Sequence, residues 1–136
     1  MKALTLTQPW ASLVVLGVKR VETRSWRPRI IAETRIAVHA AKGWTAYDRE
    51  LAADLHLRGV LPVPPDSLPR GAVIGEVTVT GCQPTQEAVW KLAALEFELG
   101  DYSSLRWAWH LRDPAAYPEP VPARGSLGLW EWEPAP

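Results

Sequence analysis

Apolar and polar residues alternate in several short stretches of the chain, and this alternation predicts six or seven β-strands. The stretches at residues 34–41 and 71–82 are the clearest, because they are long and mostly apolar. Residues 114–122 are predicted to form an extended edge segment, since prolines cannot donate to a strand ladder. The other predicted strands cover residues 2–7, 19–25, 105–112 and 126–133.

Helical spacing of apolar residues predicts three helices, which cover residues 10–16, 45–57 and 85–99. Gly17 suits the left-handed position that ends a helix. Thr45 and Thr85 are the predicted N-caps of the second and third helices. Residues 58–70 contain four prolines and are predicted to form a long surface loop.

The predicted strands follow one another too closely for regular βαβ units. The pattern therefore favours an α+β fold, with a small curled antiparallel sheet or barrel flanked by about three helices. A chain of 136 residues fits a single domain, and residues 1–136 are interpreted as one.

Composition excludes several classes of protein. No apolar run is long enough to span a bilayer, and the N-terminus has no signal-peptide pattern, so we expect a cytoplasmic protein without membrane contact. A single cysteine, Cys82, excludes an internal disulfide and a thiolate zinc site. The three histidines are dispersed, and we expect no metal and no cofactor. The absence of Asn, together with 13 prolines, is typical of a thermophile or of a GC-rich genome.

Charge is distributed unevenly along the chain, although the formal net charge is zero. Residues 1–44 hold eight basic and two acidic residues, a net charge of +6. Residues 45–136 hold seven basic and thirteen acidic residues, a net charge of −6. Such asymmetry indicates an anionic partner, unless the fold interleaves the two segments and cancels the field.

Three blocks in the basic segment carry the candidate chemistry: Gln8-Pro9-Trp10-Ala11, the run Gly-Val-Lys-Arg-Val-Glu-Thr-Arg-Ser-Trp at residues 17–26, and His39-Ala40-Ala41-Lys42-Gly43-Trp44. Their types and spacing resemble the ASCH domain, a family named for activating signal cointegrator homology within the wider PUA-like superfamily. The resemblance implies a PUA-like fold with a cleft between the first helix and the barrel. It also implies binding of RNA or of modified nucleotides.

One branch of that family hydrolyses acetylated cytidine with a lysine, a threonine and a glutamate. The resemblance places the lysine at Lys19 and an arginine at Arg24. The threonine position is occupied by Glu22, and Thr23, one residue later, is expected on the other strand face. The glutamate position stays open among Glu76, Glu96 and Glu98.

Each candidate site residue also has a structural interpretation. Glu22 and Arg24 are either a solvated ion pair or an acceptor and donor set for a base or phosphate. Trp26 is either a core aromatic or a stacking surface beside the cleft, and His39 is either a core histidine or a ligand contact. The predicted ligand-binding residues are Gln8, Trp10, Lys19, Arg20, Glu22, Arg24, Trp26, His39, Lys42 and Trp44.

Three functions follow from these residues. The first is a module that binds RNA or a modified nucleotide, with Arg20, Arg24 and Lys42 near phosphates. The second is an amidohydrolase of an acylated nucleoside such as N4-acetylcytidine, with Lys19 and Glu22 as the catalytic pair. The third is a protein-interaction adapter that docks through the acidic remainder of the chain.

Overall fold

The computed structural model describes residues 1–30 and 32–134. Its strands are β1 (Lys2–Leu6), β2 (Val21–Arg24), β3 (Thr34–Ala40), β4 (Ala72–Pro84), β5 (Trp107–Pro122) and β6 (Leu129–Glu131). Its α-helices are α1 (Trp10–Val15), α2 (Ala46–Leu57), α3 (Thr85–Ala88) and α4 (Ala94–Glu98). Two short 3₁₀ turns cover Pro65–Ser67 and Val89–Lys91. None of the helices in the described ranges is long and apolar enough to cross a membrane.

The strands form one curled sheet in the order β2-β5-β4-β3-β1-β6, which confirms the predicted α+β class. The strands pair in antiparallel fashion, as predicted, except that β1 pairs in parallel with β3. Parallel neighbours need a long crossover connection. Helix α1 and strand β2 lie in the crossover connection between β1 and β3. This connection places α1 and β2 beside the end of β1.

Strand β5 joins two segments that the sequence predicts separately. Its first residues lie between β2 and β4, where Ala108 pairs with Thr23 on one side and with Gln83 on the other. From Arg112 onward β5 pairs with β4 alone, so the prolines of this half lie at a sheet edge, as predicted. Register shifts along β4, between Val73 and Gly75 and at two further points, accompany the curvature of the sheet.

The single helix predicted at residues 85–99 was wrong, because this segment folds as α3, a 3₁₀ turn and α4. Leu92 is extended (ψ 140°) and packs with Val21 and Ala88 in one apolar cluster. Leu95 and Leu99 pack with Leu13 in another cluster. The break lets the two ends of the segment reach different parts of the core. Thr85 is not a cap, since its hydroxyl donates to the Ser103 carbonyl at 2.7 Å.

Two local predictions are confirmed at helix ends. Gly17 has φ +78° directly after α1, in the left-handed region that favours glycine. Thr45 caps α2 through a reciprocal capping box, in which its hydroxyl accepts from the Asp48 N–H and Asp48 accepts from the Thr45 N–H.

Helix α1 packs closely on β4, and Gly75 permits the contact. A Cβ atom at Gly75 would lie 2.4 Å from the Ala115 carbonyl oxygen and 2.8 Å from Val15 Cγ1. One of these neighbours is backbone, so it could not move without separating β4 from β5. Gly81, on the same strand, has nothing within 4 Å of its Cβ position.

We therefore expect Gly75→Ala to lower the free energy of unfolding by about 2–3 kcal/mol, the usual cost of overpacking. Gly81→Ala is the matched control and should change it by less than about 0.5 kcal/mol. Urea unfolding followed by tryptophan fluorescence measures both values. Equal stabilities of the two variants would contradict the close α1–β4 contact.

Candidate functional site

A polar cleft of about 490 Å³ lies where α1, α2, β1, β2 and the segment after α4 meet. The end of β1 and the first residue of α1 form one side, and β2 forms the base. Residues 98–101 close the opposite side. The side chains that line it include Thr5, Thr7, Trp10, Lys19, Glu22, Thr23, Arg24, Tyr47, Asp48, Glu98, Asp101 and Arg106.

Lys19 is the most deeply buried cation of the cleft, with 1% of its side chain exposed. Residues 18 and 19 turn away from α1, since both N–H groups bond to the Leu13 carbonyl, and β2 begins only at Val21. Lys19 therefore precedes the strand and is free of its alternation. Its ammonium donates to the Val21 carbonyl and lies 3.6 Å from Glu96 Oε2. Glu96 also accepts from the Arg20 N–H at 2.6 Å, which ties α4 to the start of β2.

Glu22 and Arg24 form an ion pair on β2, as their spacing predicts. Arg24 Nε donates to Glu22 Oε2 at 3.0 Å, and Arg24 Nη2 donates to the Thr5 carbonyl at 3.0 Å. The other oxygen of Glu22 accepts from the Thr23 N–H at 3.2 Å. These contacts hold the guanidinium in place, and its remaining N–H groups have no acceptor among the described residues. The pair can thus present further donors to a ligand.

Three buried polar atoms at or next to the cleft have no hydrogen-bond partner in the described part of the chain: Glu96 Oε2, the Tyr102 hydroxyl and Arg106 Nε. Burial raises the pKa of Tyr102 above its ordinary value, and the charges of Glu96 and Glu22 raise it further. Tyr102 therefore stays protonated at neutral pH and keeps an O–H donor. Glu96 Oε2 and Arg106 Nε each face an opposite charge, whereas the Tyr102 hydroxyl does not. An unpaired buried hydroxyl is costly, and a ligand or water that pairs with it is stabilised in return.

Four of the ten predicted ligand-binding residues line this cleft: Trp10, Lys19, Glu22 and Arg24. Gln8 does not, because it is fully buried and bonds to Ser12 and to the Pro69 carbonyl. Arg20 is exposed and borders a different groove with Arg112 and Pro114. Gln8 and Arg20 therefore do not contribute to this cleft.

Trp26, His39, Lys42 and Trp44 also lie outside the cleft. Trp26 is partly buried, packs edge-on against Trp109 of the main core with ring centroids 4.9 Å apart, and borders a different groove, so it is no stacking surface for the cleft. His39 is 2% exposed and both ring nitrogens have partners, in accord with the core interpretation. Lys42 lines a separate groove. The ring of Trp44 is covered by the Arg70 guanidinium, 5.0 Å from the ring centre.

The three candidate glutamates occupy different places. Glu96 contacts Lys19, and Glu98 lines the cleft while paired with Arg58. Glu76 lies on β4, where it accepts from Arg35 and from the Tyr117 hydroxyl. Among residues 1–30 and 32–134, no group of His, Cys, Asp or Glu is arranged to hold a metal ion.

Sequence reasoning missed several residues that line the cleft. Tyr47 is 70% exposed at its rim, and Asp48 lies beside it on α2. The available signal in the sequence was a tyrosine, Tyr47, two residues after the predicted N-cap Thr45. Thr23 was expected on the other strand face, yet it borders the cleft. Its hydroxyl accepts there from the Asp101 N–H at 3.3 Å.

A double-mutant cycle tests the buried ion pair. Lys19→Met leaves the Glu96 carboxylate buried without a cation, and we expect it to lower the free energy of unfolding by about 3 kcal/mol. Glu96→Gln in the same chain removes that charge and keeps an acceptor for the Arg20 N–H. The double variant should therefore be more stable than Lys19→Met alone, as measured by urea unfolding. The Glu96→Gln single variant completes the cycle, and an equal change in the free energy of unfolding on Glu96→Gln with and without Lys19 would show that the two groups do not interact.

Comparisons with known proteins agree with this architecture. The family model described as ASCH domain matches residues 4–120. Human activating signal cointegrator 1 is 30% identical over 129 residues, which cover 94% of this chain and 22% of that protein. The mouse protein of the same name is 28% identical over the same shares. The chain thus spans only 22% of the length of these curated relatives.

Crystal structures of an ASCH protein from Zymomonas mobilis show the same fold. The structure described simply as ASCH aligns with a TM-score of 0.57 at 18% identity, over 89% of this chain and 72% of that one. A single-residue mutant of it gives the same score and identity over 89% and 74%. With the family match covering most of the sequence, the chain belongs to the ASCH domain family.

Proposed function

We propose that the cleft binds one nucleotide of an RNA strand and reads the edge of its base. The observation that carries this proposal is the Glu22–Arg24 pair, whose guanidinium is fixed by two acceptors and still has unpaired donors. A fixed planar donor set suits the acceptor groups along a base edge. The association of the ASCH family with RNA binding supports the choice of ligand.

Charge at the cleft favours a base over a phosphate. Its lining includes the cations Lys19, Arg24 and Arg106. It also includes four carboxylates, on Glu22, Asp48, Glu98 and Asp101. A phosphate would be repelled by this acidic excess, whereas a neutral base edge offers donors to the carboxylates and acceptors to the cations.

Tyr47 takes the stacking role that the sequence had suggested for Trp26. Its ring is exposed at the rim of the cleft, on the first turn of α2. Bases of single-stranded RNA stack on exposed aromatic side chains, and each such contact contributes about 1–3 kcal/mol. Trp10 also lines the cleft, but its indole N–H is bound to the Leu99 carbonyl at 2.8 Å, so it serves as a wall.

Hydrolysis of an acylated nucleoside is the second candidate. It is favoured by Lys19, which lines the cleft and is buried next to Glu96. The role of Glu22 as general base is less favourable, since its two oxygens already accept from Arg24 and from the Thr23 N–H. Incubation with N4-acetylcytidine and chromatography for cytidine distinguishes the two functions. We expect no cytidine. Turnover that Lys19→Met abolishes would establish the hydrolase instead.

Arg24→Gln tests the proposed base contact. We expect it to weaken binding of a short fluorescein-labelled single-stranded RNA roughly 10-fold to 100-fold, because a bidentate base contact contributes about 1–3 kcal/mol. Arg20→Gln is the matched control, four residues away in the same block but outside the cleft, and should leave the affinity unchanged. Fluorescence anisotropy gives both dissociation constants, and thermal melting verifies that the variants are folded. Equal loss in both variants would refute the base contact.

A further inference from the structure

A second groove of about 530 Å³ lies beside the cleft, and the two share Thr5. It is lined by His39, Lys42, Gly71, Ala123, Arg124 and Gly125, among others. We propose that this groove binds backbone phosphates of the same RNA strand whose base occupies the cleft. The inference rests on the proposed function and adds the ligand class: an oligonucleotide rather than a free nucleoside.

The groove carries an excess of positive charge. Lys42 and Arg124 line the groove, and Arg70 lies next to Lys42. All three are exposed, and within the described residues no carboxylate lies within 4.0 Å of any of them. Several other cations of the chain are neutralised, as Lys2 is by Glu131 at 2.9 Å. Unneutralised cations clustered at one groove attract polyanions, and the release of counterions makes that attraction dependent on salt.

Three separate chain segments bring these cations together, and backbone hydrogen bonds hold the segments. The Gly71 N–H donates to the Ala40 carbonyl at 2.8 Å, and the Ala123 N–H donates to the Gly71 carbonyl at 3.2 Å. The Arg70 guanidinium donates to the Lys42 carbonyl and lies 5.0 Å from the ring centre of Trp44. The backbone that carries these cations is therefore held in place before any ligand binds, which reduces the entropic cost of binding.

His39 forms the rigid base of the groove. Its Nε2–H donates to the Ala123 carbonyl at 2.7 Å, which leaves Nδ1 as the acceptor for the Thr5 hydroxyl at 3.2 Å. The backbone at Gly125 passes so close that a Cβ there would lie 2.8 Å from His39 Cε1. Only glycine fits this approach, and the absent side chain leaves the groove open.

Thr5 connects the two sites. Its carbonyl accepts from Arg24 on the cleft side, and its hydroxyl contacts His39 on the groove side. A strand that places one base in the cleft would continue along the groove with its phosphates near the three cations. The acidic excess of the cleft and the basic excess of the groove then divide recognition of base and backbone between them.

The double variant Lys42→Gln/Arg124→Gln tests this inference. For a labelled single-stranded RNA of about ten nucleotides, each phosphate contact contributes about 0.7 to the slope of log K against log[KCl]. We expect the slope to fall in magnitude by about 1.4 in the double variant. Binding of cytidine monophosphate, measured by calorimetry, should stay within about twofold, because the cleft is intact. Lys91→Gln, an exposed cation outside both sites, is the control and should leave the slope unchanged.

The possible results separate the two proposals. A slope unchanged in the double variant, while Arg24→Gln still weakens RNA binding, would overturn the groove and leave the cleft standing. Equal losses for RNA and for cytidine monophosphate would also overturn it, since the groove would then hold a single phosphate group. Failure of the unmodified protein to bind RNA at low salt would overturn both.

Discussion

The candidate site depends on one constraint: a lysine with almost no exposed side chain needs an anionic partner. Lys19 finds that partner in Glu96 at 3.6 Å, and the contact holds α4 against the turn between α1 and β2. Two neighbouring hydrogen bonds hold the segment after α4 in the same place. The Trp10 indole donates to the Leu99 carbonyl, and the Asp101 N–H donates to the Thr23 hydroxyl. Without this segment, β2 would lie open to solvent and Arg24 would line a flat surface. The ion pair and these hydrogen bonds together hold one wall of the cleft in place.

The same interleaving of distant segments accounts for the charge pattern of the molecule. Much of the basic excess of residues 1–44 is neutralised by acidic groups from the remainder, as in the pairs Lys2–Glu131, Lys19–Glu96 and Arg35–Glu76. The positive charge that remains is local, and the groove at Lys42 includes one cation, Arg124, from the acidic part of the chain. Net charge by segment pointed to an anionic partner, but the location of the positive field is a property of the fold.

Local rules predicted much of the fold, and tertiary contacts decided the rest. Gly17 and Thr45 act at single turns, where the chemistry of one residue fixes the backbone, and both predictions are confirmed. The break between α3 and α4 and the parallel pairing of β1 with β3 depend on packing partners far away in sequence. Trp26 and His39 each had a core and a ligand-binding interpretation for the same reason, since only the fold decides whether an aromatic in the basic segment packs against the core.

The indole N–H groups offer the most direct test of the central claim, that the Lys19–Arg24 cleft is where the ligand binds. Trp10 lines the cleft, whereas Trp26 packs against Trp109 in the main core. In a ¹H–¹⁵N spectrum titrated with short single-stranded RNA, the Trp10 indole resonance should shift in a saturable manner while that of Trp26 stays in place. A saturable shift at Trp26 with no change at Trp10 would contradict the cleft as the binding site.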